Sequence, residues 1–352
     1  MIVRPLLRQV AQAACVTLAL GLLAGCALES DGDDTSSEGG LTTVKVGYLH
    51  TVAVDAHLWL GEADGIFAKH GLKVKPVKFD TGISESTALA SGDVDVAMMG
   101  AVLSNFPAQG GSKVFLANDV EHDTAQLWAS SKSGIKSVKD LAGKKVLTTK
   151  GTTAHVYLHN ALKANGVDPD SVEIVNAEMP DAVSGFISGA APAVVLWVPF
   201  DKAVEEKLPG ASKVDSAKSY YPDAAILGGW ATNNDFHAGN QKTLGKLAAA
   251  WMEINQTLVD DPKAIERVHK TAYAEDQALA DTKRQFSFEK VFSNDEWAQM
   301  YRDGEVARWI GQTEKTFVEV GGLKEYVDPK EFLDTKIFMN AYQKWKKSQS
   351  GK

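Results

Sequence analysis

The chain has 352 residues, of which 44% are hydrophobic and 23% charged. These values are ordinary for globular proteins, so they exclude wholesale disorder and allow two domains that each bury a core. The formal net charge of −8 disfavours nucleic acids and anionic membrane surfaces as partners.

The first 25 residues have the pattern of a cleaved export signal. Arg4 and Arg8 precede the apolar run VTLALGLLAG, which ends at Cys26. The run is short for a membrane-spanning helix. Two alternatives to a lipoprotein signal are an ordinary secretory signal and an uncleaved membrane anchor. Residues 23–26 resemble the lipobox of bacterial lipoproteins. We therefore expect residues 1–25 to be removed and Cys26 to carry lipid such as palmitate, in the periplasm or on the outer face of the plasma membrane.

The segment after the signal has the composition of a linker. Residues 26–43 are acidic and rich in Gly and Ser, which predicts a flexible tether. Cys15 lies in the signal, so Cys26 is the one cysteine left after cleavage. An intramolecular disulfide and a cysteine-based metal site are thereby excluded.

Strands and helices are predicted to alternate from Val44 onward. A strand at 44–49 precedes a helix at 57–71, and the next strand, at 72–79, contains Pro76, which favours an edge position or an irregular end. A helix capped by Ser84 and a buried strand at 94–100 follow. The same pattern returns after Trp128, and long amphipathic helices follow Trp230. The alternation predicts an α/β fold with mainly parallel sheets flanked by helices.

Four predicted strand-to-helix turns are short and rich in Gly, Ser or Thr. They are residues 49–51, 80–84, 99–101 and 151–153. Ligands of open α/β sheets gather at such turns, where helix N-termini present unpaired N–H groups and hydroxyls add uncharged donors. Each turn alone is also explained as a helix cap, but together they favour a pocket for an anion or a zwitterion.

Charged and nucleophilic residues near these turns suggest other chemistry only weakly. Lys150 is placed to pair with an acidic ligand or to be solvated. His155 and His159 have the i, i+4 spacing of zinc ligands, but no HExxH motif or third ligand accompanies them, so no metal is expected. Ser104 with His155 and Asp123 is a triad that no spacing supports.

The sequence gives no sign of catalysis or of a cofactor. It contains no GxSxG, GxxxxGK or GxGxxG motif, and we expect neither enzyme activity nor a bound cofactor. Trp197, Phe200 and Trp230 are candidates for the wall of a pocket or for the core.

Several segments resemble a known family. GEADGIFAKHGLKV, FDTGISESTALASGDVDVAMMG, KGTTAH and LWVPF are similar to segments of the substrate-binding lipoproteins of nitrate/sulfonate/taurine ABC importers. The resemblance covers nearly all of residues 44–320. It implies capture of a small organic anion, delivery to an ABC permease with its ATPase, and a monomeric receptor.

The resemblance also implies a two-lobed fold of the type II periplasmic-binding-protein class. Lobe 1 would comprise 44–126 plus 230–352 and lobe 2 would comprise 127–229, with two crossing strands as the hinge. The ligand-binding residues implied by the family are Tyr48, His50, Asp55, Thr81, Gly82, Ile83, Gly100, Ala101, Val102, Thr152, Thr153, Ala154, Trp197 and Pro199.

Two departures from the family pattern leave the ligand open. GAVLSN lacks the serine and proline common after that glycine, and SGAAPAVVLW has Pro192 and Ala193 where many relatives have Asp-Ala. A taurine-like or sulfonate ligand and an aromatic carboxylate or sulfonate are both compatible. Pyrimidine-synthase enzymes share this fold, but the lone Cys26 and the export signal argue against them.

Overall fold

The computed structural model describes residues 37–38 and 40–350, whose strands form two separate sheets. The predicted signal peptide and the lipidation site Cys26 lie outside these residues. The strands are β1 (Ser37–Glu38), β2 (Leu41–Tyr48), β3 (Leu72–Lys78), β4 (Val96–Met99), β5 (Ser112–Val120), β6 (Ala125–Ala129), β7 (Lys145–Thr148), β8 (Glu173–Asn176), β9 (Ala193–Trp197), β10 (Ser212–Ser216) and β11 (Leu227–Asn233).

Helices cover the faces of both sheets and make up most of the C-terminal third. They are α1 (Val52–Ala63), α2 (Ile66–Lys69), α3 (Gly82–Ser91), α4 (Val102–Asn105), α5 (Thr153–Ala164), α6 (Met179–Ile187), α7 (Phe200–Lys207), α8 (Asn234–Gly239), α9 (Gln241–Asp260), α10 (Ala264–Val268), α11 (Leu279–Phe286), α12 (Asn294–Asp303), α13 (Glu305–Glu319) and α14 (Thr335–Ser350). A π-helical turn, His269–Tyr273, continues α10. Within the described residues, no helix combines the length and apolar character needed to cross a bilayer.

The first sheet has the order β3-β2-β4-β11-β5, and β1 also pairs with β2. β2 is parallel to β3 and β4, whereas β11 is antiparallel to β4 and β5. β3, which contains Pro76, pairs with β2 alone and is an edge strand, as predicted. A proline is tolerated there because it removes a donor that a central strand would need.

The second sheet has the order β10-β6-β9-β7-β8. β7 is parallel to β8 and β9, whereas β6 is antiparallel to β9 and β10. The predicted two-lobed α/β architecture is confirmed. Both sheets are mixed, because β11 and β6, the strands that follow the two crossings, run against the strands they pair with in their sheets.

The chain passes between the sheets twice. It runs from β5 into β6 through residues 121–124 and returns from β10 to β11 through residues 217–226. The lobe boundaries proposed from the sequence, 126/127 and 229/230, fall inside β6 and β11, so the lobe ranges stay a proposal.

Several element boundaries differ from the sequence prediction. β2 begins at Leu41 and pairs with β3 from Thr42 onward, so the last residues of the predicted tether 26–43 belong to the sheet. The helix predicted at 57–71 begins at Val52 and is interrupted at Gly65, whose φ is +65°. The side chain that caps α3 belongs to Thr81 rather than Ser84, since the Thr81 hydroxyl accepts the Ser84 N–H.

Each sheet has its own core. Trp230 and Trp251 are fully buried in the first core, where both indole N–H groups donate to Asn118 Oδ1 at 3.2 and 2.9 Å. The second core lies between its sheet and α5, and Phe317 of α13 packs into it. A C-terminal helix therefore contributes to both cores, because Ile310 of α13 lies in the first.

Candidate binding site between the two sheets

The four turns predicted from the sequence meet at one cavity between the sheets. We call it the inner cavity, and its volume is about 40 Å³, room for a few water-sized groups. Its lining residues are Leu49, Thr51, Ala53, Val54, Thr81, Gly82, Gly100, Ala101, Val102, Glu121, Thr124, Thr152, Thr153, Trp197 and Val198. Eight of the residues implied by the family lie here: Thr81, Gly82, Gly100, Ala101, Val102, Thr152, Thr153 and Trp197.

Three helices of ten or more residues begin at this cavity. Thr51, Thr81 and Thr152 are the residues that precede α1, α3 and α5, and all three have extended backbone. The first N–H groups of a helix have no partner within the helix, and they carry a partial positive charge. The cavity therefore collects helix N-termini from both sheets, an arrangement that favours a negatively charged or strongly polar guest.

The threonine hydroxyls of the α5 turn are already engaged. The Thr152 hydroxyl donates to the Thr149 carbonyl at 2.7 Å. The Thr153 hydroxyl donates to Glu121 Oε1 at 3.0 Å and accepts the Ala101 N–H at 3.2 Å. The sequence predicts free hydroxyl donors for an anion here; instead, the Thr153 hydroxyl joins the two lobes, and the Thr152 hydroxyl closes its own turn.

Glu121 is the residue that sequence reasoning missed. It follows β5 at the first crossing and is buried in the inner cavity, where its Oε2 also accepts the Thr124 hydroxyl at 3.2 Å. Burial and the nearby Asp119 carboxylate raise its pKa to about 8. The sequence signal for it is the set of acids at 119, 121 and 123, at the end of an apolar strand. Burying a charge at such a place costs free energy, so an acid there is a candidate for a functional role.

A second, larger cavity of about 350 Å³ adjoins the inner one. We call it the outer cavity; it shares Leu49, Thr51, Thr81 and Trp197 with the inner cavity. The further lining residues are His50, Lys78, Asp80, Glu178, Met179, Pro180, Pro199 and Phe200. Trp197 and Phe200 meet edge to face at 5.8 Å, whereas Trp230 lies in the first core and walls neither cavity.

His50 is held firmly at the outer cavity. Its φ of +50° lies in the left-handed region, which histidine adopts more readily than most residues. The ring stacks on Tyr273 at 4.5 Å, its Nε2 lies 2.9 Å from Asp276 Oδ2 and its Nδ1 lies 3.8 Å from Asp55 Oδ2. The ring is thus fixed as part of the wall.

Tyr48 and Asp55 support this wall from behind and line neither cavity. Asp55 is fully buried, and it accepts hydrogen bonds from the Tyr273 hydroxyl at 2.5 Å and from Trp59 Nε1 at 2.8 Å. Tyr48 meets Trp59 edge to face at 5.1 Å. Burial raises the pKa of Asp55 to about 7, while its hydrogen bonds and Lys78 act in the opposite direction.

Replacing Asp55 with asparagine is expected to change how stability depends on pH. A carboxyl with a pKa of about 7 in the fold and about 3.9 when unfolded stabilises the fold at low pH, and this contribution is lost as pH rises from about 4 through 7. The free energy of unfolding of the wild type should therefore fall, relative to Asp55→Asn, by about 2–3 kcal/mol between pH 5 and 8. Urea unfolding at both pH values measures this, and parallel pH dependence in the two proteins would show that Asp55 is ionised in the fold.

The other residues singled out from the sequence lie outside both cavities. Ile83 is 46% exposed and faces Gly151 of the opposite lobe, and Ala154 is buried in the second core. Lys150 is exposed, and its backbone N–H donates to Asn176 Oδ1.

The histidine pair and the triad considered in the sequence have structural contacts instead of a shared site. His155 Nδ1 accepts the Gly151 N–H at 3.2 Å, and His159 Nε2 lies 2.7 Å from Glu319 Oε2. Asp123 pairs with Lys213 at 3.2 Å rather than with His155. Within the described part of the chain, no group of three or more His, Cys, Asp or Glu side chains is arranged to hold a metal ion.

Comparisons with known proteins found a matching family model and several similar proteins. The model of the NMT1/THI5-like family matches residues 55–265, more than half of the chain. A protein of Brucella abortus named as a binding protein is 26% identical over 82% of this chain and 89% of its own length. The taurine-binding periplasmic protein of Escherichia coli is 30% identical over 58% of this chain and 63% of its own length.

A solved structure shows the same fold. The periplasmic aliphatic sulphonate binding protein of Escherichia coli superposes with a TM-score of 0.66 at 20% identity, over 85% of this chain and 98% of that one. At this identity the likeness establishes the architecture, two lobes with a cleft between them.

Proposed function

The chain belongs to the NMT1/THI5-like family, and we propose that it is the extracytoplasmic solute-binding component of an ABC import system. It captures a small organic anion in the cleft between its lobes and delivers it to a permease. Relatives named as binding proteins, one of them taurine-binding and periplasmic, support this role and an exported location.

The convergence of the α1, α3 and α5 N-termini on one cavity carries the proposal. A helix N-terminus contributes about 0.3–1 kcal/mol to holding an anion, and up to about 2 in partly buried sites. Micromolar affinity corresponds to about 8 kcal/mol, so three termini must be supplemented by apolar contacts. Val54, Val102 and Trp197 supply such surface.

The outer cavity supports a second ligand class, an aromatic carboxylate or sulfonate. Its volume of about 350 Å³ and the side chains of Trp197 and Phe200 would accommodate a ring, while the acid group reaches the helix N-termini. Trp and Phe favour offset or edge-to-face contact with such a ring.

Attachment to the membrane is the remaining part of the proposal. The lipobox-like residues 23–26 would leave a lipid on Cys26, and the acidic segment after it would keep the body near its permease. One lipid chain binds a membrane only reversibly, so more than one acyl group would be required for stable anchoring.

Isothermal calorimetry of the protein from residue 27 onward tests the binding role. Taurine, ethanesulfonate, nitrate, benzoate and benzenesulfonate form the panel, and we expect at least one organic anion to bind with a Kd near the micromolar range, about −8 kcal/mol. Chloride at matched ionic strength is the control. Absence of heat with every organic anion would overturn the proposal.

A further inference from the structure

The inner cavity contains a carboxyl where an anion receptor would be expected to place a cation. Among the residues that line it, Glu121 is the one ionisable side chain. Lysine, arginine and histidine are absent from that lining, and Lys78 and His50 belong to the outer cavity. A ligand that enters the inner cavity therefore meets a buried acid.

The Glu121 carboxyl lies over the turn between β4 and α4. A Cβ atom built on Gly100 would be 2.0 Å from Glu121 Oε1 and 2.9 Å from Thr153 Oγ1. The carboxyl thus occupies the place beside Ala101 and Thr153 where the head of an anionic ligand was expected. The protein supplies a carboxyl at that place itself.

The carboxyl keeps unused hydrogen-bonding capacity towards the cavity. An ionised carboxylate has about four acceptor positions. The Thr153 and Thr124 hydroxyls occupy one on each oxygen, and the Ala101 N–H also donates to the carboxyl, which leaves about one position. Other lining groups nearby are apolar or already paired, among them Val102 and Thr152. A donor on the ligand would complete the coordination of Glu121.

We propose that Glu121 determines specificity by accepting a hydrogen bond from a protonated amine of the ligand, which makes the preferred ligand a zwitterion. The inference rests on the proposed function, because the acid group of the same ligand would lie at the N-termini of α1 and α3. An amine fits the inner cavity of about 40 Å³, while the acid group and any larger body extend towards the outer cavity. The ligand class is a short amino-sulfonate or amino-carboxylate.

The proton balance of binding follows from the charges around Glu121. Asp119 on β5 and Glu289, which follows α11, are the titratable groups acting on it, and burial raises the pKa of both. Free Glu121 has a pKa of about 8, so it holds a proton at pH 7. An ammonium group of the ligand favours the ionised form of Glu121, so its binding releases the Glu121 proton. An acid group of the ligand bound beside the protonated Glu121 carboxyl would release no proton.

Calorimetry with matched ligands tests the proposal. Taurine is compared with ethanesulfonate, and β-alanine with propionate, on the wild type and on Glu121→Gln. We expect the wild type to bind the amine-bearing member of each responding pair at least about tenfold more tightly than its amine-free partner, and we expect Glu121→Gln to lose that preference. Titration at pH 7 in buffers of different ionisation enthalpy should show proton release for the wild type alone.

Glu85→Gln is the matched control. Glu85 is a fully buried acid on α3 that accepts the Met98 N–H at 2.9 Å and lines neither cavity. This variant should retain the amine preference and the proton release. Thermal melting checks that each variant is folded. If Glu121→Gln does not fold, the proposal is tested by the ligand preference and the proton release of the wild type.

The outcomes separate the two proposals. Binding of amine-free anions as tightly as their amine-bearing partners, or retention of the amine preference in Glu121→Gln, overturns the role of Glu121 and leaves the receptor function standing. Lack of binding by every anion and zwitterion overturns the receptor function itself.

Discussion

Replacement of Gly100 with alanine is expected to weaken ligand binding by at least about a hundredfold, or about 2.8 kcal/mol. The new Cβ would lie 2.0 Å from Glu121 Oε1, closer than any non-bonded contact allows. Glu121 must then leave its bonds to Thr153 and Thr124, and the nearest open space is the inner cavity. The displaced carboxyl would fill the volume that the ligand needs and would loosen the contact between the lobes.

Gly245→Ala provides the control for the Gly100 variant. Gly245 lies within α9, and a Cβ there meets nothing within 4 Å, so the change should stabilise the helix by about 0.5–1 kcal/mol and leave affinity alone. Calorimetry with the best ligand of the anion panel measures both variants. Wild-type affinity in Gly100→Ala would mean that the Glu121 carboxyl is not held over this turn when ligand is bound.

Replacement of Asn118 with leucine is expected to lower the free energy of unfolding by about 3–5 kcal/mol. Asn118 Oδ1 accepts the indole N–H groups of both Trp230 and Trp251, and its Nδ2 donates to the Val54 carbonyl at 3.3 Å. Leucine has a similar volume, so it leaves little cavity. It leaves the two buried indole N–H groups without an acceptor, and each such group costs about 1–3 kcal/mol of stability. Typical domains have only 5–15 kcal/mol in total.

Asn234→Leu is the matched change at an exposed position. The Asn234 side chain donates to the Gly110 carbonyl at the surface, where water can replace it, so the cost should stay within about 0.5 kcal/mol. Urea unfolding followed by tryptophan fluorescence measures both variants. A loss below about 1 kcal/mol in Asn118→Leu would show that the indoles find other partners.

The turns of the site were predictable because their signals are local. A threonine before a helix, a glycine near it and a preceding apolar strand specify a strand-to-helix turn within a few residues. Thr81, Gly100 and Thr152 carry such signals, and the structure brings all three turns to the inner cavity. Parallel strands end at one edge of a sheet, which explains why the turns of the first sheet lie together, whereas the turn before α5 belongs to the second sheet and reaches them through the packing of the two lobes.

Contacts between distant residues were not predictable in the same way. Trp197 and Trp230 both lie in apolar strands. Trp197 lines the cavities, whereas Trp230 is buried in the first core. The hydroxyl of Thr153 reads as a free donor in the sequence, but a carboxyl 32 residues earlier accepts its hydrogen bond. The direction of a side chain depends on elements packed from elsewhere.

By itself the sequence determined the α/β alternation, the positions of the strand-to-helix turns and the family, because backbone propensities and capping act over a few residues. Only the tertiary structure decided the chemistry of the cleft. In the sequence Glu121 is one of three acids near a strand end, and nothing there fixes its burial. It becomes a buried acid with a pKa of about 8 because the turn at Gly100 and the start of α5 enclose it beside Asp119. Desolvation depends on which distant groups exclude water, and folding alone brings those groups together.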